Sequence, residues 1–275
     1  MTLNATATWR DLLDHLLVRG ASTEQASAGA ELRGRTSYEI LGHVTRWPLD
    51  RAVVLCPARR LGYRFLAAEA AWIVSGSNRL DEIAPYARRL SGLSDDGAFL
   101  SGAYGPPFIE QLPYVCQTLA RDRASRQAVA TLWRQRPGAW RDVPCTLSLQ
   151  WLLRGDPLTI SCVANMRSSD AWLGVPYDIH AFAMMTALVA LYLRDSLGPL
   201  RLGELVVSVG SQHLYHLDRE TATVCAARDD ERFDGLEPLH LDELAGPRDL
   251  VDHLWAVARR DVAGLRCGWL RETMG

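Results

Sequence analysis

Apolar residues recur at helical spacing through the first twenty positions (Trp9, Leu12, Leu13, Leu16, Leu17), which predicts an amphipathic helix. Arg51 to Cys56 reads as a short strand. Arg60 to Val74 reads as a helix that stops at the turn signal Ser75-Gly76-Ser77-Asn78. Leu80 to Leu93 carries a second helical pattern, and residues 94–107 hold the loop formers Asp95-Asp96-Gly97 and Gly105-Pro106-Pro107. A helix around Ile109 to Arg121 and a strand over Gln127 to Trp133 follow. Cys145 to Leu153 and Leu158 to Met166 are apolar runs joined by Arg154-Gly155-Asp156-Pro157, the pattern of a hairpin. Pro176 opens a long apolar helix reaching about Leu193, and Leu205 to Val209 reads as a strand. No repeat or linker interrupts the sequence, so one α+β domain is expected over residues 1–275, with helices packed on a mixed sheet.

Composition narrows the class without choosing a function. Of 275 residues, 48% are hydrophobic and 23% charged, the balance of an ordinary globular protein. A formal charge of −2 excludes the strongly basic profile of a nonspecific nucleic-acid binder. All 30 cations are arginine, so every anion-binding position is filled by a planar fork. The six cysteines (Cys56, Cys116, Cys145, Cys162, Cys225, Cys267) form no C-x-x-C pair, which argues against structural zinc and against a disulfide scaffold. The first residues lack the pattern of a signal peptide, and the apolar run Ala181 to Leu193 is too short to span a bilayer. A cytoplasmic location is the expectation.

Three segments carry candidate chemistry: Val143-Pro144-Cys145-Thr146-Leu147, Asn165-Met166-Arg167-Ser168-Ser169-Asp170 leading to Gly174-Val175-Pro176-Tyr177-Asp178, and Gly210-Ser211-Gln212-His213-Leu214-Tyr215. A proline-flanked cysteine in an apolar run is ordinarily a buried structural thiol. Cys145 departs from that because of its companions: a thiolate nucleophile needs positive charge nearby, and Arg167 is the candidate in sequence. Glu69 sits within the apolar stretch Ala67-Ala68-Glu69-Ala70-Ala71-Trp72, where a carboxylate is costly unless paired or functional.

In order and spacing these segments resemble the active site of the thymidylate synthase superfamily. The resemblance is strongest over residues 33–220, whereas 221–275 diverge. It implies Cys145 as nucleophile, with Glu69, Tyr104 and Asp178 as the other catalytic groups. Arg33, Arg126, Arg167 and Ser168 would bind the 5′-phosphate, Arg33 (with Arg35 as a weaker candidate) from a mobile loop running to Gly42. Arg126 would be donated by the partner in a homodimer, and Gln127 stands where a second arginine is usual. His213 and Tyr215 would hold the sugar. Asp170, Gly174, Leu90 and Leu93 would face the folate cosubstrate, 5,10-methylenetetrahydrofolate.

The departures point to one branch. Synthases carry asparagine at the position of Asp178, and the cytosine-specific hydroxymethylases carry aspartate. Counted from Gly76-Ser77-Asn78 to Tyr104-Gly105, the two folate-facing tryptophans of synthases fall on Leu90 and Leu93. Thr146, Met166 and Ser211 replace further synthase residues. The resemblance therefore implies a CMP or dCMP 5-hydroxymethylase, and the GC-type codon usage behind the all-arginine composition tilts the choice toward CMP. Two alternatives stay open: a thymidylate synthase acting on dUMP, and an inactive nucleotide- or RNA-binding relative. No metal, membrane or obligatory nucleic-acid partner is implied.

Overall fold

The structure is a computed structural model that describes residues 4–24, 36–134, 141–227 and 237–261. Helix α1 (Ala5–Arg19) is capped by Asn4, whose side chain accepts from the Thr6 and Ala7 amides. It buries Trp9, Leu12, Leu13 and Leu16, the predicted stripe. Strands β1 (Ala21–Glu24) and β2 (Thr36–Pro48) follow, then helices α2 (Tyr63–Val74), α3 (Leu80–Ile83) and α4 (Gly105–Arg121). Beyond them come β3 (Val129–Thr131), β4 (Thr146–Arg154), β5 (Thr159–Asp170), helix α5 (Val175–Leu197), β6 (Arg201–Tyr215), and helices α6 (Arg219–Ala226) and α7 (Pro247–Arg259).

The six strands form one mixed sheet in the order β1-β2-β6-β5-β4-β3, antiparallel except for the parallel pair β5–β6. One face is buried along β4, β5 and β6. Leu149, Trp151 and Leu153 of β4 stand opposite Ala164, Cys162 and Ile160 of β5, with Val207 and Leu205 of β6 and Trp47 of β2 continuing the rows. Helix α5 lies in this core: it buries nearly every residue from Val175 to Leu193 and spans 23 residues, enough by length and composition to cross a membrane. Its envelope of core side chains is that of the central helix of a globular α+β fold. On the opposite face, Leu152, Val163, Val206 and Asn165 are half-buried, and Val44 and Arg46 are exposed.

Several elements differ from expectation. Arg51 to Cys56 is not a strand: Ala52, Val53 and Val54 are buried by packing without a sheet partner, and the segment runs into a 3₁₀ turn, Pro57–Arg59. Left-handed Arg60 (φ 49°) delays the next helix to Tyr63. The pattern over Leu80 to Leu93 breaks at Pro85, whose missing N–H ends α3, and a 3₁₀ segment resumes at Arg88–Leu93. Helix α4 starts earlier than Ile109 because Pro106 and Pro107 fit the first turn. Strand β3 is shorter than Gln127–Trp133, and β6 is much longer than Leu205–Val209. Thr36 to Gly42, expected as part of a phosphate loop, belongs to strand β2, while Arg33 and Arg35 lie outside the described residues.

Candidate active site

Parallel pairing of β5 with β6 brings two distant motifs side by side. Ser168 pairs with Ser211 and Asp170 with His213, so the Arg-Ser segment runs along the His-x-Tyr segment. Gly210 is required there, because a Cβ would lie 2.9 Å from the Arg167 carbonyl oxygen. On the other side of β5, the carbonyl of Cys145 accepts from the Arg167 amide at 2.8 Å, and a register irregularity falls between Thr146 and Ser148, just past the thiol. Such bulges re-aim side chains and are frequent beside active sites.

The Arg167 guanidinium wraps the turn that carries the thiol. Its Nε donates to the Pro144 carbonyl (3.0 Å), and one terminal nitrogen donates to the Val143 carbonyl (3.1 Å) and reaches Cys145 Sγ at 3.6 Å. Its other nitrogen reaches Ser168 Oγ at 3.2 Å, and that hydroxyl lies 3.9 Å from Sγ. Burial nonetheless pushes the Cys145 thiol above its ordinary value, Asp178 adding to the rise while Arg167 and Ser168 oppose it. Desolvation outweighs the single cation.

Cys145 opens onto a cavity of about 160 Å³ walled by Glu69 and Trp72 of α2, Leu90, Gly102, Tyr104, Asp142 and Asp178, among others. Every acid on this wall holds its proton more tightly than usual. Burial pushes Glu69 up to about 7 against the pull of Arg89. Burial, then the carboxylates of Glu69 and Asp170, raise Asp178 well above the ordinary range. Burial, Asp178 and Cys145 do the same to the Tyr104 phenol. Proton-holding acids around a thiol can serve acid–base chemistry near neutral pH.

The remaining predicted residues fall around this centre. Asp170 closes its own turn by accepting from the Trp172 (2.8 Å) and Leu173 (3.1 Å) amides through one oxygen, and its second oxygen makes no hydrogen bond among the described residues. Gly174 sits in a tight place, since a Cβ would meet the Asp170 carbonyl at 3.0 Å and Asp178 Oδ2 at 3.2 Å. Glycine thus lets the Asp170 turn and the Asp178 carboxyl approach each other at the start of α5. His213 and Tyr215 are nearly buried and pack edge to face at 5.2 Å, although neither walls the cavity. Leu90 lines the cavity. Leu93 does not, packing against the core from the same 3₁₀ segment. Arg126 is exposed just before edge strand β3, its carbonyl accepting from the Gln150 amide, and it stands apart from the cavity of its own chain.

Three residues escaped the sequence reading. Asp142 and Trp72 wall the cavity, and Glu39 accepts from the Ser211 hydroxyl at the head of the His-x-Tyr segment. The Glu39–His213 pairing of β2 with β6 creates that last contact. Only recognition of β2 as a strand would have exposed it.

On this α+β sheet a cysteine backed by an arginine–serine pair faces several protonatable acids across one cavity, an arrangement suited to covalent chemistry by the thiol. The model of the thymidylate synthase family matches residues 100–243, just over half of the chain, and the chain belongs to that family. The match takes in Tyr104, Cys145, Arg167, Asp178, His213 and Tyr215, and it extends past residue 220, where the resemblance read from sequence stopped. One-carbon transfer to a pyrimidine nucleotide, with methylenetetrahydrofolate as donor, is the chemistry of this family.

Proposed function

We propose that this protein is a cytidine monophosphate 5-hydroxymethylase, which uses 5,10-methylenetetrahydrofolate as carbon donor and releases tetrahydrofolate. The observation that carries this reading is Asp178, a carboxyl facing the Cys145 cavity whose proton is held by burial and by Glu69 and Asp170. A protonated carboxyl donates to cytosine N3 and accepts from the N4 amino group. Sharing its proton with N3 withdraws electrons from the ring and prepares C6 for attack by Cys145. C5 then attacks the donor carbon, loss of the C5 proton with expulsion of tetrahydrofolate leaves an exocyclic methylene, and water adds to it. Expulsion of Cys145 frees the product.

Arg167 and Ser168 take the 5′-phosphate, where a guanidinium fork suits the anion. His213 and Tyr215 hold the sugar. Leu90 leaves room for water where an indole would shield the methylene, and Asp170 keeps an unbonded oxygen for the folate. CMP is preferred to dCMP on composition alone. The working unit is a cytoplasmic homodimer in which the half-buried apolar face of Leu152, Val163 and Val206 is covered and Arg126 crosses to the partner's phosphate site. Incubation with each pyrimidine monophosphate and methylene-labelled folate tests this reading. Label in a 5-hydroxymethyl cytidine nucleotide supports it, and label in a 5-methyl uridine nucleotide refutes it.

A further inference from the structure

Asp142 stands three residues before Cys145, and both line the same cavity as Leu90. One carboxyl oxygen accepts from the Gly102 amide at 2.8 Å. The other makes no hydrogen bond among the described residues. The seat is shaped for this group: a Cβ on Gly102 would lie 2.9 Å from Asp142 Cγ, Oδ1 and carbonyl oxygen alike, so only glycine admits the carboxyl there. Burial holds its proton more tightly than usual, with Asp95 adding and the Gly102 amide opposing. Of the other two carboxyls of the cavity, Asp178 is occupied with the base in the proposed reaction, and Glu69 on α2 is one of the catalytic groups that the family resemblance implies. Asp142 enters from a separate segment and has a free acceptor.

We infer that Asp142 is the general base of the water-addition step, taking its proton on Oδ1 while the Gly102 amide holds Oδ2. The inference rests on the hydroxymethylase reading. The water oxygen bonds to the exocyclic methylene carbon and its proton passes to Asp142. The electron pair of that double bond moves into the ring and forms C5=C6 as the bond from C6 to Cys145 sulfur breaks. Nothing is oxidised or reduced, and the proton on Asp142 returns to solvent or to the released thiolate.

The test is a partition measurement with the full-length enzyme, CMP tritiated at C5, methylenetetrahydrofolate and 2-mercaptoethanol as competing nucleophile. Tritium release reports alkylation at C5, before water acts. The thiol is already partly ionised at mildly alkaline pH and needs no base, so it traps the methylene as a thioether whatever stands at position 142. In Asp142→Asn, first-turnover tritium release should stay near the parent value. The thioether-to-alcohol ratio should rise roughly a hundredfold, the usual weight of a general base. In Asp142→Ser, which keeps an acceptor for the Gly102 amide, added formate should bring the ratio back down. An unchanged ratio in both variants overturns the role of Asp142. A parent enzyme that forms no hydroxymethyl product overturns the proposed function and this inference together.

Discussion

Arg167 touches Cys145 twice: its backbone amide donates to the Cys145 carbonyl at 2.8 Å, and its guanidinium returns to the sulfur at 3.6 Å. Arg167 thus meets both the backbone and the sulfur of Cys145, while burial, Asp178 and Ser168 also act on the thiol. Cys145→Ser should abolish turnover while nucleotide binding, measured by calorimetry, stays within a few-fold of the parent, because the phosphate grip does not include the thiol. Because burial lifts this thiol, its alkylation by iodoacetamide should continue to accelerate above pH 9. Full-rate turnover in the serine variant would remove Cys145 from the mechanism.

Glu69 yields a stability prediction with a definite sign. Its proton is held to about pH 7 in the folded chain, whereas 4.5 is ordinary for an exposed carboxyl. The folded state binds the extra proton between those values, so this contribution is fully present below about pH 4.5 and is lost as pH rises through 7. The loss is at most about 3 kcal/mol. Glu69→Gln cannot ionise. It should match the parent near pH 4.5 and exceed it by about 1–3 kcal/mol at pH 8 in urea unfolding. A difference independent of pH would mean that Glu69 is not held neutral by the fold.

Access of water to the methylene is tested at Leu90. An indole there fills the cavity wall that leucine leaves open. Leu90→Trp should lower hydroxymethyl product several-fold relative to tritium release from C5. Tryptophan at Leu93, which packs outside the cavity wall, should change that ratio much less. Equal effects at the two positions would deny a shielding role to this segment.

The proposed subunit exchange of Arg126 calls for complementation. Arg126 is exposed and apart from its own cavity, so Cys145→Ala and Arg126→Ala variants should each be inactive alone. Mixed under conditions of proven subunit exchange, they should regain part of the activity, since one site of each hybrid contains both groups. No recovery contradicts a shared site.

What the sequence revealed follows from which signals are local. The β4–β5 hairpin and helix α5 were legible because apolar runs of sufficient length were bounded by Gly155-Asp156-Pro157 and Pro176. Strand β2 was not, since the apolar residues Leu41 and Val44 are exposed along it and His43 and Thr45 take the inward positions, so hydrophobicity does not follow the alternation of burial. Helix α3 was overextended because a helical period says nothing of Pro85. Helix α7 was not read from the sequence, although Leu250, Leu254 and Val257 form a buried stripe along it. Motif order placed Cys145, Arg167 and Asp178 at one site, yet Asp142 has no motif of its own. It joins the cavity through Gly102, forty positions away in the chain, a contact that only the fold creates.

Base choice in the proposed reaction rests on Asp178. Its carboxyl holds a proton that it can share with cytosine N3, and an amide at the same place cannot supply one. An asparagine amide instead offers its N–H₂ to uracil O4 and its carbonyl to N3–H. Leaving a buried pair mismatched costs about 1–3 kcal/mol, roughly tenfold to a hundredfold in selectivity. The decisive measurement is the ratio of kcat/KM for CMP to that for UMP, and for dCMP to that for dUMP, in the parent and in Asp178→Asn. Both ratios should favour cytosine in the parent and fall at least roughly tenfold in the variant. Ratios that stay the same in the two proteins would contradict base selection by Asp178.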